Sequence, residues 1–318
     1  MKLNRHAERV IRALLSAPRK KLDIWQLARK CGYLPDIISA VEQLKRAGVV
    51  TTHQSAVALV NTKKLPAYVL KRERPLKQVM KAYMPYWKQI SFYDDNFGQI
   101  PLMPSAIHNK LALMQKRGDL LNKDILCIGD DDLFSVACAL TGLPRSVTVF
   151  DYDERVIALI KSISPKLPVP IKTFKVNLLE PLSERYHARF DVFITEPEDT
   201  EMSTLLFITQ GMRTLRLGGS FYLGMAEATL NPKNRGVVER TLANLGIVFT
   251  DILHGSEEYV PDGREVEWEG FEKMPTWITK SAQSSWFTST LFRGEVVEKK
   301  KLPFLRPSKR EFFASFVS

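Results

Sequence analysis

Apolar residues recur at helical spacing in three short segments at the start of the chain. The first covers residues 6–16 (HAERVIRALLS), and the second is LDIWQLARKCG. The third begins at Pro35 and ends at Gly48, residues that suit a first helical turn and a helix end. The stretch VVTTHQSAVALVNT then favours a hairpin. Together these elements predict a winged-helix-like domain over residues 1–62.

After Lys123 the pattern changes to short apolar strands separated by helical segments. The strand-like stretches are DILCIGD, SVTVFDYD, IKTFKVNLLEP, FDVFITEPED, GGSFYLGMA and IVFTDILHGSEEYV, and SWFTSTLFRGEVV near the end predicts a closing pair of strands. Apolar strands that alternate with helices of about 10 to 14 residues are typical of an α/β fold with a mostly parallel sheet. The pattern therefore predicts a Rossmann-like, doubly wound domain of the class I methyltransferase type over residues 119–318.

Between these domains lies a segment, residues 63–118, that is too aromatic for a free linker. It contains an aromatic cluster between Tyr83 and Phe97, the acidic pair Asp94 and Asp95, and a helix that begins at about Ser105. We expect this connecting segment to cover the mouth of the following domain, with Asp94 and Asp95 binding an acceptor. Packing of the aromatic cluster against a core is the commoner fate of such residues.

The net charge of +11 is concentrated at the start of the chain. Residues 1–90 hold 19 Lys and Arg against 5 Asp and Glu, and the remainder holds 27 against 30. A basic winged helix suggests nucleic-acid binding, but the third helix carries Asp36 and Glu42 where a groove-reading helix usually has Arg, Asn or Gln. We therefore favour a packing or dimerisation module over a nucleic-acid reader.

Other sequence features exclude several classes of protein. No apolar run approaches the roughly 20 residues of a membrane span, and the charged N-terminus does not resemble a signal peptide, so we expect a cytoplasmic protein without membrane contact. The three cysteines, Cys31, Cys127 and Cys138, are scattered and predict neither disulfides nor a zinc site. No bound metal is expected.

Four predicted strands end in polar residues. In a doubly wound sheet the ligand lies beyond the carboxyl ends of the strands, so these side chains are expected to form one site. One acidic strand end is commonplace, whereas four in series predict a binding or catalytic site. They are Gly129-Asp130-Asp131-Asp132, Asp151-Tyr152-Asp153-Glu154, Asn177, and Glu196-Pro197-Glu198-Asp199.

The first two strand ends favour a cationic adenosine donor. Asp151 follows the first loop by about twenty residues, the distance at which a carboxylate accepts hydrogen bonds from ribose hydroxyls. The first loop lacks GxGxxG, and its three aspartates would repel a phosphate but attract a sulfonium. We therefore expect S-adenosylmethionine or a relative as donor. The predicted donor-binding residues are Gly129, Asp130, Asp151, Asp153 and Asn177. Helix capping is an alternative that explains one or two of the aspartates.

The fourth strand end, FITEPED, favours an amine as nucleophile. An amine attacks only in its neutral form, so Glu196 or a loop aspartate would accept its proton, while Glu198 and Asp199 would hold the other ammonium groups of a polyamine. A solvated acidic turn is the alternative to this interpretation.

Four motifs together resemble one family. GDDDLFSVACALTGLP, VTVFDYDERVIALI, FDVFITEPEDT and the upstream GQIPLMP are similar to the branched-chain polyamine synthases, the N4-bis(aminopropyl)spermidine synthases of archaea and thermophilic bacteria. The resemblance implies a winged-helix-like domain joined to a Rossmann-like catalytic domain, and a homodimer. It also implies aminopropyl transfer from decarboxylated S-adenosylmethionine, a co-substrate rather than a bound cofactor, to a polyamine such as spermidine, with release of 5′-methylthioadenosine. Asp131 or Asp132 would be the essential acid and Asp151 would bind the ribose.

Two departures from the family pattern leave the acceptor open. The family's fourth strand ends in Asp-Pro-Pro-Glu-Thr, whereas here Glu196-Pro197-Glu198-Asp199-Thr200 follows the strand, and Asn177 replaces an acid. The acceptor, the number of transfers and the essential aspartate stay undecided at this stage. The alternatives are a methyltransferase that modifies an amine or nucleic acid, and a winged-helix regulator that senses a polyamine. A Lys or Arg against the donor tail would favour the methyltransferase.

Overall fold

The structure, a computed structural model, describes residues 3–91, 99–198, 200–226, 230–261, 277–302 and residue 305. Its internal contacts divide the chain into two compact units, Met1–Glu73 and Arg74–Ser318. Within the described ranges, every helix is too short or too polar to cross a bilayer.

The first unit combines three helices with a small antiparallel sheet. Its elements are α1 Arg5–Ser16, β1 Lys21–Asp23, α2 Ile24–Cys31, α3 Leu34–Arg46, β2 Val50–His53 and β3 Ala56–Leu59. The Asn4 side chain accepts the N–H of Ala7 at 2.8 Å and so caps α1, and Asp23 caps α2 in a capping box with Gln26. The predicted helices and hairpin are present. Strand β1 adds a third strand, in the order β1-β3-β2, which is too short to give a periodic signal.

The second unit is built on a seven-stranded mixed sheet. Its strands are β4 Asp124–Ile128, β5 Ser146–Asp151, β6 Ile171–Lys175, β7 Phe190–Thr195, β8 Leu215–Ala226, β9 Ile247–Glu258 and β10 Thr288–Val296. The order is β6-β5-β4-β7-β8-β10-β9, in which the first five strands are parallel and β10 is antiparallel to both of its neighbours. The strand order reverses between β4 and β7, which is the topological switch point where such sheets bind ligands.

Helices cover both faces of this sheet. They are α4 Leu76–Trp87, α5 Pro104–Arg117, α6 Phe134–Leu140, α7 Glu154–Ile163, α8 Glu201–Thr214 and α9 Pro232–Ala243. Alternate residues of a strand point to opposite faces. Phe221 and Leu223 of β8 join a core with α8 and α9, whereas the hydroxyls of Ser220 and Tyr222 donate to Asp119, just after α5. The α/β, doubly wound prediction is confirmed at the level of this mixed sheet.

One predicted element is wrong. The closing pair of strands expected in SWFTSTLFRGEVV is a single strand, β10, inserted between β8 and β9. Its Arg293 is fully buried and lies 2.7 Å from Asp119 Oδ2, so a charged residue interrupts the apolar pattern inside the sheet. Because the ion pair compensates this buried charge, β10 continues through Arg293 as one strand.

Candidate active site

The first loop of the site follows β4 and leads into α6. Gly129 has a left-handed φ of 72°, and its N–H donates to the carbonyl of Phe150 at 2.9 Å. Thr195, at the end of β7, donates its hydroxyl to the carbonyl of Ile128 at 2.9 Å. These bonds place the three aspartates of the loop beside the end of β7, at the switch point.

Asp130 is committed to the start of α6. Its carboxylate accepts the backbone N–H of Ser135 at 3.0 Å and also the Ser135 hydroxyl. Its own N–H donates to Asp151 Oδ2 at 3.0 Å. Burial and the neighbouring Asp132 raise the pKa of Asp130 well above its usual value. The capping alternative therefore accounts for the side chain of Asp130.

Asp131 and Asp132 differ in how far their side chains are buried. Asp132 is buried, and its Oδ1 accepts the N–H of Phe134 at 2.9 Å while its carbonyl accepts the Tyr83 hydroxyl. Burial and the negative charge of Glu196 raise the pKa of Asp132 to about 6. Asp131 is partly exposed, and burial together with Asp132 raises its pKa well above the usual value. A pKa of about 6 lets Asp132 accept a proton near neutral pH, which makes it a candidate for the proton acceptor.

The three predicted donor-binding residues beyond the first loop lie at neighbouring strand ends. Asp151 ends β5 and accepts the N–H of Asp153 at 2.8 Å and that of Asp130; burial raises its pKa to about 6. Asp153 caps α7 and binds the Arg155 guanidinium at 2.7 Å, so its charge is compensated. Asn177 follows β6, and its Oδ1 accepts the N–H of Leu179 at 3.1 Å. The donor-binding roles of these three residues stay predictions.

A buried lysine lies behind the end of β7. Lys110 of α5 is 1% exposed, and its ammonium forms an ion pair with Glu196 and lies 2.8 Å from Glu257 Oε1. Its side chain also lies over the Phe134 ring, 5.0 Å from the centroid. Although burial alone would lower the pKa of this lysine, Glu196 and Glu257 raise it above its usual value, so the ammonium stays charged.

Glu196 is held on both sides. Its Oε1 binds Lys110, and its Oε2 accepts the Tyr259 hydroxyl at 3.0 Å. The same hydroxyl lies 2.9 Å from the Ser289 hydroxyl, on β10. Both carboxylate oxygens of Glu196 thus have a partner within the protein, and its predicted catalytic role stays a prediction.

Sequence reasoning missed three residues of this cluster. Lys110 stands at helical spacing from Ile107 and Met114, both buried, and a lysine within an apolar stripe was the available signal. Glu257 and Tyr259 reach this cluster through the pairing of β9 with β10. The residues around them in the sequence did not indicate a position in the site.

The structure describes one of the four residues that were predicted to bind the acceptor. Asp94, Asp95 and Asp199 lie outside the described residues. Glu198 is partly buried, and its carbonyl accepts the N–H of Thr200, the residue that caps α8. The acceptor-binding roles of all four stay predictions.

Gly224 of β8 leaves the space that two of the glutamates occupy. A Cβ at this position would lie 2.6 Å from Glu196 Cγ and 2.7 Å from Glu257 Oε2. We expect Gly224→Ala to displace both side chains and to lower the free energy of unfolding by about 1–3 kcal/mol. Urea denaturation would measure the change.

Gly236, within α9, is the matched control for this substitution. Its added Cβ would meet only the flexible end of Arg240, at 3.2 Å. Gly236→Ala should raise stability by about 0.5–1 kcal/mol, because alanine favours a helix interior. Equal stability of Gly224→Ala and the native protein would show that the glutamates are not packed against β8.

The comparisons with known proteins agree with this geometry. Residues 78–309 match the family model of the branched-chain polyamine synthase A C-terminal domain. The chain belongs to this family. The resemblance inferred from the aspartate loop and its neighbouring motifs is thereby confirmed.

Individual relatives cover different shares of the chain. The N(4)-bis(aminopropyl)spermidine synthase of Methanocaldococcus jannaschii is 36% identical over 211 residues, which is 65% of this chain and 58% of the relative. That of Thermococcus kodakarensis is 34% identical over 64% of this chain and 59% of its own. The matched region thus spans less than two thirds of these branched-chain polyamine synthases.

Solved structures of the family extend the similarity to most of the chain. A mutein of the Thermus thermophilus branched-chain polyamine synthase, in complex with N4-aminopropylspermidine and 5′-methylthioadenosine, has a TM-score of 0.70 at 25% identity and covers 97% of this chain and 91% of its own. A putative RNA methyltransferase from Pyrococcus horikoshii, with a TM-score of 0.53 at 18% identity over 71% of this chain and 99% of its own, shares the fold.

Proposed function

We propose that this protein is an aminopropyltransferase that uses decarboxylated S-adenosylmethionine as donor and a polyamine such as spermidine as acceptor. The observation that carries the proposal is the cluster of acidic side chains, Asp131, Asp132 and Glu196, at the switch point of the sheet. Such a cluster suits a polycationic acceptor and a cationic donor without a carboxylate. The complex of the related Thermus thermophilus mutein holds the corresponding product pair.

The reaction is a displacement at carbon. The lone pair of the acceptor nitrogen forms a bond to the methylene carbon beside the sulfonium, and the carbon–sulfur bond breaks toward sulfur. This releases 5′-methylthioadenosine as a neutral thioether. The proton lost by nitrogen passes to Asp132, whose raised pKa suits proton acceptance near neutral pH. Asp131, partly exposed beside it, contacts the acceptor ammonium, and Asp151 accepts the ribose hydroxyls.

The direct test uses the full chain with spermidine and decarboxylated S-adenosylmethionine, and mass spectrometry of the products. We expect aminopropylated spermidine and an equal amount of 5′-methylthioadenosine. A parallel reaction with ordinary S-adenosylmethionine tests the methyltransferase alternative. The ammonium of Lys110 is already paired with two glutamates, which does not support binding of a donor carboxylate. Absence of both products with every common polyamine would refute the proposal.

The acids of the site predict opposite pH dependences of activity and stability. Asp132 and Asp151 have pKa values of about 6, and Glu257 of about 8. As the pH falls through about 6, Asp132 gains a proton and kcat/KM for the acceptor should fall. Because these acids bind protons more tightly in the folded than in the unfolded state, the free energy of unfolding should instead rise from about pH 8 to about pH 5.

Two measurements check this prediction, a pH–rate profile and thermal unfolding across the same range. In Asp132→Asn the dependence of stability on pH should be shallower, since one of the contributing groups is gone. Parallel rather than opposite trends in the native protein would contradict the assignment.

For the first unit we propose a winged-helix domain used for packing rather than for reading nucleic acid. The order α1, β1, α2, α3, β2, β3 and the three-stranded sheet support the fold. Trp25, Tyr33 and Ile38 expose 65%, 71% and 47% of their surfaces, and such apolar exposure supports a protein partner, for which we propose a second copy of the chain. Sedimentation at several concentrations, with and without duplex DNA, tests both parts.

We also propose that the connecting segment contributes to the site. Within the second unit, the Tyr83 hydroxyl donates to the Asp132 carbonyl, the Gln99 amide to Asp153 at 2.9 Å, and the segment at Leu102 pairs with Tyr259. These contacts support a segment that runs along the carboxyl edge of the sheet.

A further inference from the structure

The buried ion pair behind the site has one cation for three acids. Lys110 faces Glu196 from β7 and Glu257 from β9, and Asp132 acts on it electrostatically from the aspartate loop. A lysine withdrawn from water to this extent is costly unless acids compensate its charge. The ammonium lies over the ring of Phe134, whose backbone N–H donates to Asp132 at 2.9 Å, so Lys110 is close to the proposed proton acceptor.

The charges of the cluster are unequal at neutral pH. Burial and the charge of Glu196 raise the pKa of Glu257 to about 8, so this side chain is mostly protonated there. Lys110 then lies beside Glu196 and acts on Asp132, which is mostly ionised at neutral pH because its pKa is about 6. Since a nearby positive charge favours the ionised form of an acid, the ammonium opposes the effect that burial and Glu196 have on Asp132.

We propose that Lys110 is a positioning residue for aminopropyl transfer: it holds Glu196 at the wall of the site and supplies the positive charge that keeps Asp132 ionised before a cationic acceptor arrives. Glu257 closes the cluster on the far side of the ammonium, where it fixes Lys110 without adding a negative charge at neutral pH. This inference rests on the function proposed above.

Other titratable groups surround the cluster and must remain unchanged in a test. They come from α4, from β4 and its loop, from α6 and from the end of β9, namely Tyr83, Cys127, Asp130, Asp131, Cys138 and Tyr259.

The test is the pH–rate profile of Lys110→Met with spermidine as acceptor. Without the ammonium, Asp132 should gain its proton at higher pH, so the acid limb of kcat/KM should move upward by about one pH unit or more. At about pH 7 a shift from about 6 to about 7 should lower kcat/KM roughly twofold and a shift to about 8 roughly tenfold, with activity returning toward that of the native protein at alkaline pH. A purely structural role would instead lower the whole profile without moving its limb, and that result would overturn the proposal.

Two further variants separate charge from packing. Glu257→Gln alters the same buried pair but keeps the ammonium, so its acid limb should stay at the native position. An equal shift in Glu257→Gln would overturn the proposal. Lys172→Met removes a lysine from the exposed position of β6 and controls for overall charge. If Lys110→Met does not fold, the double variant Lys110→Met/Glu257→Gln removes the pair as a unit and should still show the shifted limb.

Calorimetric titration with spermidine alone, without donor, separates this inference from the proposed function. In the native protein spermidine affinity should weaken as the pH falls through the acid limb, and in Lys110→Met the weakening should occur at higher pH. Binding with this behaviour but without product formation would refute the transferase and leave only the effect of Lys110 on the ionisation of Asp132 supported. Product formation with an unmoved limb in Lys110→Met would refute the role of Lys110 alone.

Discussion

Asp132→Asn is expected to lower kcat for aminopropyl transfer by about 10²–10⁴-fold, because an amide cannot accept the proton of the attacking amine. The fold should survive the change. An asparagine oxygen can still accept the N–H of Phe134, which Asp132 Oδ1 accepts at 2.9 Å. The substitution also removes a negative charge that Glu196 repels, so the free energy of unfolding at neutral pH should not fall. Single-turnover rates and urea denaturation measure the two effects.

Asp36→Asn provides a control with the same chemical change. Asp36 lies on α3 with 48% of its side chain exposed, 3.7 Å from His6, within the first unit. Its rate should equal that of the native protein. If Asp132→Asn retains full activity while Asp131→Asn loses it, the proton acceptor is Asp131, and the raised pKa of Asp132 serves another purpose. Full activity in both would mean that the loop only caps α6.

Arg293→Met is expected to lower the free energy of unfolding by about 3–5 kcal/mol, because it leaves Asp119 buried without its charged partner. Arg293 is fully buried in β10, with its Nε 2.7 Å from Asp119 Oδ2 and its Nη2 donating to Ser220 at 3.0 Å. Tyr222 donates to the same aspartate oxygen at 2.7 Å. Chemical denaturation followed by circular dichroism measures the loss.

The contrast is with an ion pair at the amino ends of β4 and β7 in the same sheet. Arg145 is 47% exposed and pairs with Asp124 and Asp191, so Arg145→Met should cost about 0–1 kcal/mol. The double variant Asp119→Asn/Arg293→Met should recover part of the stability lost in Arg293→Met, since no buried charge then remains unpaired. Equal costs for Arg293→Met and Arg145→Met would show that the buried network contributes no more than a surface pair.

Most of the parallel half of the sheet was predictable from local patterns. Strands β4 and β5 are short runs of mostly buried apolar residues with acids at or just beyond their ends. The residues that the apolar pattern predicted to be buried are buried in the structure. Helix α4 was missed because its Pro85 and aromatic residues do not resemble a helix interior. The segment of β10 was predicted as a pair of strands, whereas it forms one strand with Arg293 buried inside it.

The sequence by itself determined the fold class, the family, and the aspartate loop with its acidic companions at successive strand ends. These features depend on local periodicity and on the rule that parallel strands end at one edge of a sheet. Tertiary structure decided which acids accept hydrogen bonds from neighbouring groups, as Asp130 does from Ser135. It also brought Lys110 and Glu257 together across 147 positions of the chain. No local sequence pattern predicts such a pair, because the residue that compensates the charge of Lys110 is brought to it only by folding.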